Sequence, residues 1–229
     1  MDAGCDGVCR GGGAQDQQIM IRYLSLILLL VVGCASADSK QDLLPFTSKE
    51  IVDFHVHVAG LGYGNSGCFI NEAMRDNFRF RFYLKAMKTS LEELEKEGDQ
   101  IVFKHISDAI DESKVVDKAV ILALDGVVNE QGELDKAQTQ IYVPNEYVYQ
   151  QTQRYPHLLY AASINPYRKD AIARLETAKL QGAVLIKWLP SIMYIDPADP
   201  KLVPFYQKMV ELNIPLLTHT GMELSLIHI

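Results

Sequence analysis

The chain has 229 residues, 22 Lys and Arg against 29 Asp and Glu, 48% apolar residues and four cysteines. That length and apolar fraction suit one packed domain, and a net charge of −7 excludes a protein that relies on a basic face to hold nucleic acid. Four scattered cysteines make no disulfide framework, and Cys5 and Cys9 are spaced C-x-x-x-C, unlike a redox or zinc motif.

Residues 1–19 are Gly-rich, polar and unpatterned, and read as an upstream extension with Met20 as the natural start. Arg22 precedes 23–37, fifteen positions without a charge. A bilayer-spanning helix needs about 20. Positive charge, apolar core and small residues in that order predict a signal peptide over 20–37. Two cleavage sites compete. Ala35-Ser36-Ala37 suits an ordinary signal peptidase. Val31-Val32-Gly33-Cys34 resembles a bacterial lipobox, in which Cys34 is lipidated, and the following Ala35 resembles an outer-membrane address. The expected location is the bacterial cell envelope, lipid-anchored in the outer membrane or periplasm, or else secreted. Contact with membrane is expected only through that anchor or signal segment. Residues 38–50 are polar, contain Pro45 and read as a tether.

From Ile51 the pattern changes. The runs 51–58, 119–124, 158–164, 183–189 and 214–219 are short, apolar and nearly continuous, as in parallel strands covered on both faces. Helices are predicted between them. Ser90-x-x-Glu93 has the form of a capping box, with Gly98 as the stop. Residues 100–113 place Ile101, Val102, His105, Ile106, Ala109 and Ile110 along one face. The stretches 144–154, 169–180 and 199–212 follow the same logic, with Gly182 and Pro215 as punctuation. The order predicts a parallel α/β sheet with right-handed crossovers. An insert of about sixty residues separates the first two strands and opens with Gly60, Gly62, Gly64 and Gly67. It reads either as a long loop or as a lid or pocket segment.

Residues 51–229 number 179, whereas a closed eight-stranded (β/α)8 TIM barrel takes about 250. The expectation is an incomplete TIM barrel over 51–223, about the first five βα units. Residues 224–229 read as a tail foreign to the barrel, so His228 is discounted.

Asp53-Phe54-His55-Val56-His57 is the sharpest chemical signal. Residues i and i+2 of a strand point the same way, so both imidazoles can face the barrel axis at the strand's C-terminal end. Two such rings make half of a divalent-metal site. His219 ends the apolar run 214–219 and is followed by Gly221. A histidine at that position lies on the face that carries chemistry in such barrels, and beside His55 and His57 it reads as a third ligand. Lys187 ends the fourth strand, where a lysine rarely sits without a partner. Three roles are open for it: carboxylated metal bridge, cation for a substrate carboxylate, or an outward-snorkelling side chain.

These features together resemble the metal-dependent amidohydrolase superfamily, and within it the amidohydrolase-related branch, which includes decarboxylase-like members. The resemblance runs from about residue 51 to 221. It includes the His55/His57 pair, the segments 111–124 and 145–155 leading to Pro156, Ala162-Ser163-Ile164-Asn165-Pro166, and the segments 182–190 and 214–221. It implies that His55, His57 and His219 hold zinc or another divalent ion, one or two per chain. The family's general-base Asp, and often a further His, are expected beyond this C-terminus. The implied activity is a metal-activated water attacking an amide, ester or lactone of a small-molecule substrate. A decarboxylase of the same branch and a non-catalytic envelope-binding lipoprotein are the alternatives. The oligomeric state is left open, and the chain by itself is expected to be inactive.

Other residues take plainer roles. His105 reads as core and His157 as surface. Asp53 can support a ligand imidazole or be solvated. Cys68 reads as a free thiol or pocket residue. Asp196 and Asp199 read as turn residues. Trp188 alternates with Lys187 and reads as packing on the opposite face.

Overall fold

A computed structural model describes residues 50–76 and 80–219. The extension 1–19, the segment 20–37 with Cys34, the tether up to residue 49 and residues 220–229, including Gly221 and His228, lie outside the described residues.

All five expected strands form. Strand β1 (Val52–His57) is followed by a short β2 (Phe69–Ile70) and helices α1 (Glu72–Arg75), α2 (Phe80–Ala86), α3 (Leu91–Glu97) and α4 (Ile101–Asp111). Then come β3 (Lys118–Leu122), β4 (Ile141–Tyr142), α5 (Asn145–Thr152), β5 (Leu158–Ala161) and α6 (Ala171–Leu180). The chain continues through β6 (Ile186–Trp188), α7 (Pro190–Met193), α8 (Val203–Glu211) and β7 (Leu216–Thr218). β1 pairs in parallel with β3, β3 with β5, and β6 with β7. A parallel bridge at Ala162 and Ile186 joins the two groups. There the Ala162 N–H donates to Leu185 O at 3.1 Å and the Lys187 N–H to Ala162 O at 2.7 Å. The row therefore runs β1-β3-β5-β6-β7, with helices at the crossovers. Among the described residues it does not close into a barrel.

The row is strongly curled. Neighbouring strands lie about 4.8 Å apart, so β1 and β6, three steps apart, would be about 14 Å apart in a flat sheet. Lys187 Nζ on β6 nevertheless reaches within 3.3 Å of His55 Nε2 on β1.

Alternation sorts the side chains into two layers. Ala119, Ile121, Tyr160, Ile186 and Trp188 join Val102, Phe103, Leu175, Phe205 and Met209 in one core between strands and helices. Val120, Leu122, Ala161 and Leu185 form a smaller cluster on the other face, with Val52, Leu159 and Leu217 packed against it. The helices follow from local signals. Ser90 Oγ accepts from the Glu93 N–H at 3.1 Å and caps α3, and Gly98 ends it at φ +82.

Two expectations need correction. β1 and β7 are not covered on both faces; β1 is mostly exposed and β7 partly so, because they are the first and last strands of the row. The insert is not a plain loop. It contains α1 and α2, and β2 pairs antiparallel with β4. Two-residue strands and four-residue helices are too short to leave a periodic signal.

The start of the insert is fixed by a carboxylate from far along the chain. Fully buried Asp99 accepts from the Leu61 N–H at 3.0 Å, the Gly62 N–H at 2.9 Å and the Ser66 hydroxyl. Gly60 lies so close that an added Cβ would collide with the Asp99 carboxylate, and Gly62 turns at φ +94. Among the described residues no helix is long and apolar enough to cross a membrane.

Candidate active site

The polar groups gather at the C-terminal ends of the strands. Although the register shifts between Asp53 and Val56, His55 and His57 still present their rings together. Their Nε2 atoms are 3.0 Å apart and the ring centroids 4.9 Å. Asp53 contributes through the backbone, its Oδ1 accepting from the His55 N–H at 2.9 Å.

Lys187 is fully buried and points to the inner side, its Nζ 3.3 Å from His55 Nε2. The snorkelling alternative is therefore corrected: alternation sends Trp188 outward in its place. Trp188 stacks near Phe205 and Tyr206 and donates Nε1–H to Ile164 O at 2.7 Å. The Lys187 backbone is held by its neighbour strand. Ser163 Oγ donates to Lys187 O at 2.8 Å, and Ser163 itself exchanges two hydrogen bonds with the Asn145 side chain at 2.8 and 2.9 Å.

His219 follows β7, its N–H donating to Trp188 O at 3.0 Å. Burial of His57 and the positive charge available to His55, Lys187 and His219 together push the His57 imidazole down to about 4. His57 keeps exposed surface, so this is the desolvation of a group in a recess, not of a sealed one.

The donor set fits part of a metal site. Two nitrogens at about 2.0–2.1 Å from one tetrahedral ion are about 3.3 Å apart, close to the separation observed. A neutral imidazole is the ligating form, and His57 is held neutral at ordinary pH. Among the described residues no three His, Cys, Asp or Glu side chains converge closely enough to hold a metal ion. The histidine pair is thus assembled, and His219 follows the last strand of the row without joining it in a ready three-ligand set. Lys187 Nζ meets the same His55 nitrogen that a metal would take, so the amino group and a metal ion compete for it.

Beside the pair lies a cavity of about 230 Å3 that His57 helps to line. Its floor is Val58, Leu124, Ile141 and Leu189, and α1 and α2 supply further walls. The sequence reading missed these wall residues. The segment that supplies α1 and α2 mixes apolar residues with Glu72, Arg75, Asp76, Arg81 and Lys85, so no apolar run marked it.

The remaining residues have structural roles. Asp125 and Arg168 form a buried ion pair in which Arg168 Nε donates at 2.7 Å. The Asn165 N–H donates to the same carboxylate at 2.7 Å, and Asn165 Nδ2 bonds Gly126 O and Met193 O. This ties together the loops after β3, β5 and β6. His105 meets Glu93 at 3.3 Å. His157 is corrected from surface to half-buried, since it pairs with Ser107 Oγ at 2.9 Å and links β5 to α4. Cys68 is buried, and burial pushes its thiol up to about 12. Asp196 and Asp199 do hold turns, accepting from the Ala198 and Lys201 N–H groups at 2.9 Å each.

No protein-family model matches the sequence, and no curated protein matches it. Among solved structures the chain is similar to 5-carboxyvanillate decarboxylase of Novosphingobium aromaticivorans, solved with bound manganese and 3-methoxy-4-hydroxy-5-nitrobenzoic acid. The identity is 13% and the TM-score 0.42, over 76% of this chain and 51% of that one. The chain therefore spans about half the length of that structure.

Proposed function

We propose that this chain carries the metal-binding face of a small-molecule enzyme of the amidohydrolase-related type. His55, His57 and His219 would hold a divalent ion, zinc being the first candidate for imidazole ligands. The supporting observation is the convergence of His55 and His57 Nε2, 3.0 Å apart, at the ends of parallel strands. When bound, such an ion polarises a carbonyl and lowers the pKa of coordinated water toward about 7. The reaction proposed is hydrolysis of an amide, ester or lactone. The low proton affinity of His57 keeps its lone pair available for the ion. Asn145 and Ser163 hold the β6 backbone so that Lys187 enters from the inner side.

Decarboxylation is the second reading, and Lys187 favours it. A buried ammonium beside the histidine pair is suited to receive a substrate carboxylate. Carboxylation of Lys187, which would make it a metal ligand, belongs to the hydrolytic reading. The envelope location, by cleavage before Cys34 or after Ala37, belongs to either; mass spectrometry of the mature N-terminus tests it.

The test of function is metal content. The purified protein should hold one or two divalent ions, and the His55→Ala/His57→Ala variant should hold none. Equal metal in both would sink the proposal. Carbon dioxide release from a carboxylate panel, without turnover of esters or amides, would select decarboxylation.

A further inference from the structure

We infer that the cavity beside His57 receives an uncharged, apolar substrate body, a ring or branched aliphatic group, and that helices α1 and α2 set which bodies fit. The inference rests on the metal-dependent reading above and deepens it by naming the substrate class.

Size is the first argument. The cavity holds about 230 Å3. An apolar cavity of about 150 Å3 already accepts benzene, so there is room here for a six-membered ring with substituents. The walls are the second argument. Ile70, Met74, Phe80, Ala86 and Met87 line the space. Apart from Tyr83 and His57 every lining side chain is apolar, and a charge buried among such walls without a full set of partners is expensive. The substrate's polar end must therefore lie elsewhere. His57 is on the cavity wall, so an apolar body seated there brings its adjoining atoms beside the paired Nε2 groups. Selectivity has an identifiable source. Met74 and Met87 are adaptable walls, whereas Ala86 on α2 and Ala59 after β1 are the small ones, and their size limits the body that enters.

Two measurements on the full chain test this. In the first, protein stripped of metal is titrated with cyclohexanol, which lacks a metal-binding group, and binding is followed by saturation-transfer NMR. Wild type should bind, and Ala86→Phe should weaken binding at least tenfold. Met74→Phe repeats the test from another wall, and each variant's thermal transition confirms folding. No binding to wild type, or unchanged binding in both folded variants, overturns the inference. In the second, metal-loaded protein is titrated with acetohydroxamate and cyclohexanecarbohydroxamate, which share a head group and differ in body. The larger should bind at least tenfold tighter to wild type and less than threefold tighter to Ala86→Phe. Equal affinities in wild type overturn the inference. If neither hydroxamate binds while cyclohexanol does, the metal reading fails and the apolar site stands.

Discussion

Lys187 and Trp188 are neighbours in one strand, both fully buried, and they belong to different halves of the molecule. Trp188 faces the helices, amid Phe205, Tyr206 and the Ile164 carbonyl. Lys187 faces inward, toward His55. The outer layer is apolar; the inner layer, at its C-terminal rim, collects the lysine Nζ and two imidazoles at short range. The difference teaches that strand alternation separates stability from chemistry at single-residue resolution. Substitutions on the two faces should therefore move different observables.

The largest stability effect is expected on the outer face. Trp188→Ala should lose about 3–5 kcal/mol, read by denaturant unfolding. A loss below about 1 kcal/mol would show that the outer layer is not sealed. Asp125→Ala comes next, because it leaves the Arg168 guanidinium buried without its carboxylate. About 3 kcal/mol should be lost, with the Asp125→Ala/Arg168→Met double variant recovering part of it. Lys187→Met exchanges a buried cation for an apolar chain of similar length, and its stability should stay within about 1 kcal/mol of wild type. Its affinity for a simple carboxylate such as benzoate should fall at least tenfold all the same, read by isothermal titration. His57→Ala removes a partly exposed ring and its contact with His55, and should cost metal-free protein no more than about 1 kcal/mol. Yet it should abolish metal binding by equilibrium dialysis. If His57→Ala proved as destabilising as Trp188→Ala, the separation of faces would be broken.

Much of this frame was legible in the sequence. The five parallel strands stood out because each is a short, mostly apolar run, and alternation placed His55 with His57 and set Trp188 opposite Lys187. The capped start of α3 was legible because Ser90 and Glu93 are three residues apart. What was not legible depends on contacts distant in sequence. The β2–β4 pair joins Phe69 to Tyr142, and neither strand is long enough to show a period. The partners of His157 lie on α4, so its burial could not be inferred from its loop. The exposure of β1 and β7 follows from their rank in the row, which no local pattern records. The cavity is assembled from residues between 57 and 189, so its apolar lining became visible only once the chain was folded.

The carboxylate of Asp99 has a consequence in time. The three groups it holds, on Leu61, Gly62 and Ser66, precede it by 38, 37 and 33 residues. A chain growing from its N-terminus makes His55, His57 and the glycine turn before the group that shapes that turn exists. At about 5–20 residues per second the wait is about 2–8 s. Throughout it, the nascent histidine strand is followed by a turn that lacks the carboxylate which fixes it in the folded chain.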